Sequence, residues 1–78
     1  MKSLVRVERA RRDMTQADLA EALGCNRHTI NALETKRYVP NGLLLLRIAK
    51  FFRVKAEDIF ILEEDEQLFP DKFNDKFD

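Results

Sequence analysis

The sequence predicts an all-α fold. Only two glycines and two prolines occur in 78 residues, too few for the repeated turns of a β-sandwich or barrel. Apolar residues recur at spacings of three and four, the period of a helix with one buried face. Several of these runs are preceded by a residue suited to cap a helix N-terminus.

The elements follow in chain order. Ser3 is placed to cap a first helix reaching about Arg12, with Leu4, Val5 and Val7 on or near its inner side. Thr15-Gln16-Ala17-Asp18 has the spacing of a capping box, in which hydroxyl and carboxylate satisfy each other's backbone amides. The helix it opens buries Leu19, Ala20 and Leu23 and stops at Gly24, a residue that enters the left-handed region without strain. Asn26 caps a third helix with Ile30 and Leu33 inward. Pro40 imposes a break, and Asn41 caps a fourth helix carrying Leu44, Leu45, Ile48, Ala49 and Phe52. Residues 56–60 read as a short fifth helix.

Composition narrows the function classes. The formal net charge of zero conceals a division: residues 1–58 carry +5 and residues 59–78 carry −5. A basic body with an acidic end suggests a polyanionic partner for the body. The longest aliphatic run, Leu43-Leu44-Leu45-Leu46, falls far short of a membrane span of ~20 residues, and no apolar leader precedes the first charges. A single cysteine cannot form an internal disulfide, which fits a reducing, cytoplasmic setting. Cys25 and the sole histidine, His28, are three residues apart, but a structural zinc site needs four ligands, so no metal is expected. With one His, one Cys and no glycine-rich phosphate loop, the chain is not expected to be an enzyme or to need a cofactor.

The second and third helices carry the functional signal. They are joined by Gly24-Cys25-Asn26 alone, the short glycine-containing connection of a helix-turn-helix. At ~100° per residue, His28, Asn31, Ala32 and Thr35 fall opposite Ile30 and Leu33, with Arg27 on one flank. A merely solubilising face would carry Lys and Glu; this one is short-chained and uncharged in its middle. Asn bonds adenine bidentately, Arg bonds guanine or phosphate, and Ala and Thr methyls meet thymine methyls. Lys36, Arg37 and Tyr38 follow where a phosphate strand would pass.

Met14 to Ala20, Gly24, Arg27-His28-Thr29-Ile30-Asn31-Ala32-Leu33-Glu34 and Tyr38-Val39-Pro40 together resemble the XRE (Cro/C1-repressor-like) family over about residues 4–62. The resemblance implies a compact five-helix, lambda-repressor-like domain binding a double-stranded DNA operator as a homodimer, with residues 60–62 as a strand beside residues 2–4. It also implies that Gln16 anchors on the DNA backbone and that Asn26, Arg27, His28, Asn31 and Ala32 occupy recognition-helix positions. Thr35 and Arg37 match backbone contacts, and Arg9 and Glu34 match a buried ion pair. His28 stands where small members usually carry Gln, and Thr35 where Asn or Gly is usual.

Residues 1–62 are therefore expected to form the DNA-binding domain of a transcriptional regulator, a repressor by this resemblance, and residues 63–78 an acidic tail. Phe69, Phe73 and Phe77 recur every four residues in that tail and would make an aromatic stripe if helical. This leaves a second reading, a protein-interaction module or antitoxin-type autoregulator whose tail binds a partner protein. Seven acids in the last twenty residues favour a solvated tail instead.

Overall fold

The computed structural model describes residues 1–73 and Lys76. Its elements are β1 (Lys2–Ser3), α1 (Val5–Ala10), α2 (Gln16–Leu23), α3 (Arg27–Glu34), α4 (Gly42–Phe52), α5 (Ala56–Ile59) and β2 (Phe60–Ile61). Two 3-10 turns follow, at Glu64–Gln67 and Asp71–Phe73. Five helices and a two-stranded antiparallel ribbon make up the body, as expected. The ribbon pairs Lys2 with Ile61 and Ser3 with Phe60. Leu62 lies just beyond it.

Local chemistry places most helix ends. The Thr15–Asp18 capping box is complete, with Asp18 N–H donating to Thr15 Oγ1 and Thr15 N–H to Asp18 Oδ2, both at 3.0 Å. The Thr15 amide, and after it the Thr15 side chain, holds the Asp18 carboxyl below its ordinary range. A depressed carboxylate stabilises above its unfolded pKa, so this cap is lost as pH falls through the lower, folded value. Asn26 and Asn41 each accept an amide N–H into the side-chain carbonyl at 2.9 Å, opening α3 and α4.

Four helices end alike, with one residue in the left-handed region: Asp13, Gly24, Lys36 and Arg53, at φ 53°, 71°, 64° and 58°. After each, an N–H reaches back five residues, from Met14 to Arg9, Cys25 to Ala20, Arg37 to Ala32 and Val54 to Ala49. This closure satisfies carbonyls that the helix leaves open, and glycine is its strain-free residue. A Cβ added at Gly24 would touch nothing within 4 Å, so Gly24→Ala isolates the backbone cost. We expect that substitution to destabilise the fold by about 1 kcal/mol, and Arg53→Gly to stabilise it by about 0.5–1 kcal/mol. Urea unfolding of both variants checks the pair, and equal signs would contradict the assignment.

Every body element except β1 contributes to one core: Val5 from α1, Leu19, Ala20 and Leu23 from α2, Ile30 and Leu33 from α3, Ile48, Ala49 and Phe52 from α4, Ile59 from α5 and Phe60 from β2. Two arginines brace it by capping distant carbonyls. Arg47 donates to Leu23 O at 2.9 Å, closing the end of α2 next to the interhelical turn. Arg12 lies 4.7 Å over the Phe52 ring and donates to Phe52 O at 2.9 Å, joining the end of α1 to that of α4.

Several expectations need correction. Ser3 lies in β1 because its backbone is taken by the ribbon; Leu4 is the residue preceding α1, and the Ser3 hydroxyl still accepts from Val5 N–H at 3.2 Å. Regular α1 ends at Ala10, since the chain turns through Asp13, and Val7 projects outward with 44% exposure. Phe60 belongs to β2, where its side chain is still buried. In the tail, a short 3-10 turn after Pro70 replaces a continuous helix between Phe69 and Phe73, both exposed; Phe77 lies outside the described residues.

Candidate nucleic-acid interface

The turn between α2 and α3 is built so that α3 leaves the body with one apolar side only. Gly24 closes α2, Cys25 packs partly against the core, and Asn26 opens α3. Ile30 and Leu33 are buried on its inner side. Arg27, His28 and Asn31 are exposed on the outer side, and Ala32 is half-buried between them. The wheel drawn from spacing alone is the one observed.

The outer residues differ in what they have left to offer. Asn26 uses its carboxamide oxygen on Thr29, at 2.9 Å to the amide and 3.2 Å to the hydroxyl, leaving its NH2 outward as a donor. Among the described residues, Arg27, His28, Asn31 and Arg37 have side chains with no hydrogen-bond or ion-pair partner. Thr35 is different: its hydroxyl donates to Asn31 O at 2.8 Å and its amide to the same oxygen at 3.0 Å. The Thr35 donors therefore close the helix. To meet a phosphate, which only accepts, that hydroxyl would have to turn away from the helix.

Asn26, His28, Thr29, Ala32 and Tyr38 line an open concavity of about 400 Å³ on this face. Ala32 makes the hollow by being short, and Tyr38, 39% exposed, forms one wall. Thr29 was not among the expected site residues. The only sequence signal for it is its position three residues after the Asn26 cap.

Beneath the face lies a charged anchor. Arg9 Nε donates to Glu34 Oε2 at 2.9 Å and Nη2 to Oε1 at 3.2 Å, while Nη1 donates to Met14 O at 2.7 Å. Gln16 Nε2 adds a third bond to Glu34, at 3.1 Å to Oε1. The Glu34 side chain is 3% exposed and that of Arg9 15%. This cluster fixes the start of α2 to the end of α3 and uses one of the two Gln16 amide hydrogens; the other is left for an external acceptor. Lys36 lies apart, its ammonium 2.6 Å from Glu63 Oε1. The Glu63 bond and charge raise the Lys36 pKa, and Lys36 lowers that of Glu63.

Two closely packed helices, a three-residue turn and an outward second helix define the class: a helix-turn-helix protein. Residues 5–59 match the family described as helix-turn-helix, and the chain belongs to it. It is similar to an uncharacterised HTH-type transcriptional regulator of Methanocaldococcus jannaschii, with 52% identity over 66 residues covering 85% of this chain and 100% of that relative. A protein of the same description in Methanothermobacter thermautotrophicus is 48% identical, covering 83% of this chain and 96% of its own length. One in Bacillus subtilis is 46% identical, with 83% and 98% covered. No helix among the described residues is long and apolar enough to cross a membrane.

Proposed function

We propose that this protein is a sequence-specific, DNA-binding transcriptional regulator that places α3 in the major groove and acts as a cytoplasmic repressor. The observation that carries the reading is the outer face of α3. Arg27, His28 and Asn31 stand exposed and uncommitted around a short Ala32, on a helix whose opposite side is clamped to the core. Uncommitted, short and rigidly mounted side chains are what base-edge recognition requires. The transcriptional-regulator description shared by its relatives supports the same function. Its work is binding, not catalysis.

A homodimer accompanies the reading. One eight-residue helix spans too few base pairs for useful specificity, whereas a two-fold dimer presents two such helices ~34 Å apart on one DNA face. Leu43, Leu46 and Leu62 remain 71%, 61% and 49% exposed, apolar area that a second copy would cover. A protein partner at the tail is favoured separately by Leu68 and Phe69, 75% and 66% exposed.

Two substitutions test the reading. Arg37→Ala, which removes a phosphate contact, should weaken binding to all duplexes alike. Asn31→Ala should instead relax preference at one base position, by about 1–3 kcal/mol. The check is anisotropy titration against duplexes differing at single positions. Unchanged affinity and preference in Asn31→Ala would show that α3 does not read bases.

A further inference from the structure

We propose that the acidic segment following β2 is an internal phosphate mimic, which occupies Lys36 at the exit of α3 and lowers the affinity of the domain for DNA. This rests on the DNA-binding reading and adds a brake to it.

Three observations converge on Lys36. Its backbone is fixed, because it is the left-handed residue closing α3, at φ 64°, with its own N–H on Leu33 O and that of Arg37 on Ala32 O. A lysine therefore stands where glycine is the strain-free residue, at the edge of the proposed DNA face. Its ammonium is occupied by Glu63 at 2.6 Å, and a carboxylate oxygen presents to it the charge and lone pairs that a phosphate oxygen would.

The segment carrying Glu63 is held in shape as well. Glu63 and Glu66 form a reciprocal cap: Glu63 N–H donates to Glu66 Oε1 at 2.8 Å and Glu66 N–H to Glu63 O at 2.9 Å. The Glu66 carboxylate also meets the Met1 amine at 2.7 Å, and Gln67 Nε2 donates to Leu62 O at 2.9 Å. Glu63 is thus delivered to Lys36 by a folded turn tied to the ribbon. Being covalently attached, it competes at a high effective concentration.

The size of the effect follows from exposure. The Lys36 and Glu63 side chains are 57% and 42% exposed, and pairs of that kind are weak and screened by salt. The brake is graded: a few-fold in DNA affinity at low salt, fading as salt rises.

The test uses the full chain in four forms: wild type, Glu63→Gln, Lys36→Gln and the double variant. Each is titrated against a mixed-sequence duplex at about 50 and 200 mM salt, and circular dichroism confirms the fold. Glu63→Gln should bind about 3-fold tighter at the lower salt and nearly as wild type at the higher. On the Lys36→Gln background the same substitution should add little. A gain as large without Lys36 would mean that the tail merely repels DNA, and no gain at either salt would mean that Glu63 does not compete; either overturns the brake while leaving DNA binding intact. Failure of all four forms to bind any duplex would remove the DNA-binding reading, and the brake with it.

Discussion

Glu34→Ala should cost the domain about 3 kcal/mol, toward the lower end of the range for breaking a buried ion pair. Glu34 is the single carboxylate that answers two Arg9 nitrogens and one Gln16 nitrogen, so its loss leaves three donors without an acceptor. Arg9 keeps Met14 O and some solvent, which places the cost below the upper limit of ~5 kcal/mol. A small domain has about 5–15 kcal/mol in total, so the variant is expected to unfold at much lower denaturant. Glu34→Gln should lie between, since its carbonyl can still accept. Replacing both partners by apolar residues of similar size, as in Arg9→Met with Glu34→Leu, should recover most of the loss. Urea denaturation of the series checks this. A Glu34→Ala cost below about 1 kcal/mol would mean that the pair behaves like an exposed one.

The second large effect concerns salt. If Arg27, Arg37 and Lys36 (released from Glu63) each neutralise one phosphate per protomer, a dimer makes six such contacts. Log affinity should then fall with log salt at a slope near −5, from about −0.9 per phosphate on duplex DNA. Between about 50 and 200 mM salt, that is a loss of ~10³ in affinity. Removing Arg37 takes one contact from each protomer and should flatten the slope by about two. Anisotropy titration at four salt concentrations measures it. A slope near zero would mean that the basic body does not engage the phosphate backbone and would favour a protein partner.

What the sequence disclosed, it disclosed through chemistry acting over one helical turn. Thr15 with Asp18, Asn26 and Asn41 each bond an amide three residues away, so the starts of α2, α3 and α4 were readable from neighbouring residue types. The outer stripe of α3 was readable because a rigid helix converts spacing into direction. Helix ends were harder. Gly24 announced its left-handed conformation, but Asp13, Lys36 and Arg53 adopt the same one without the residue type that normally signals it.

The braces Arg47 to Leu23 and Arg12 to Phe52 join residues 24 and 40 apart, and nothing local to an arginine says which distant carbonyl it will find. Two features of the site are hidden for like reasons. Spacing puts Thr35 on the outer face but does not say that its hydroxyl bonds Asn31 O of its own helix. The negative charge of the tail was plain, yet its delivery to Lys36 depends on β2 ending beside the exit of α3, a consequence of the ribbon with β1. Val7 shows the opposite error: hydrophobicity puts it on or near the inner side, but two residues after Val5 it lies ~200° round the helix and is exposed, while Val5 is buried.

Selection of bound sites from a random duplex library is the decisive experiment, because it interrogates α3 and the dimer together. The expected result is enrichment of an inverted repeat, its two half-sites about one helical turn (~10 bp) apart, with the selected bases lost at one position of each half-site for Asn31→Ala. A library that emerges unenriched, or a preferred sequence indifferent to every outward residue of α3, would contradict it.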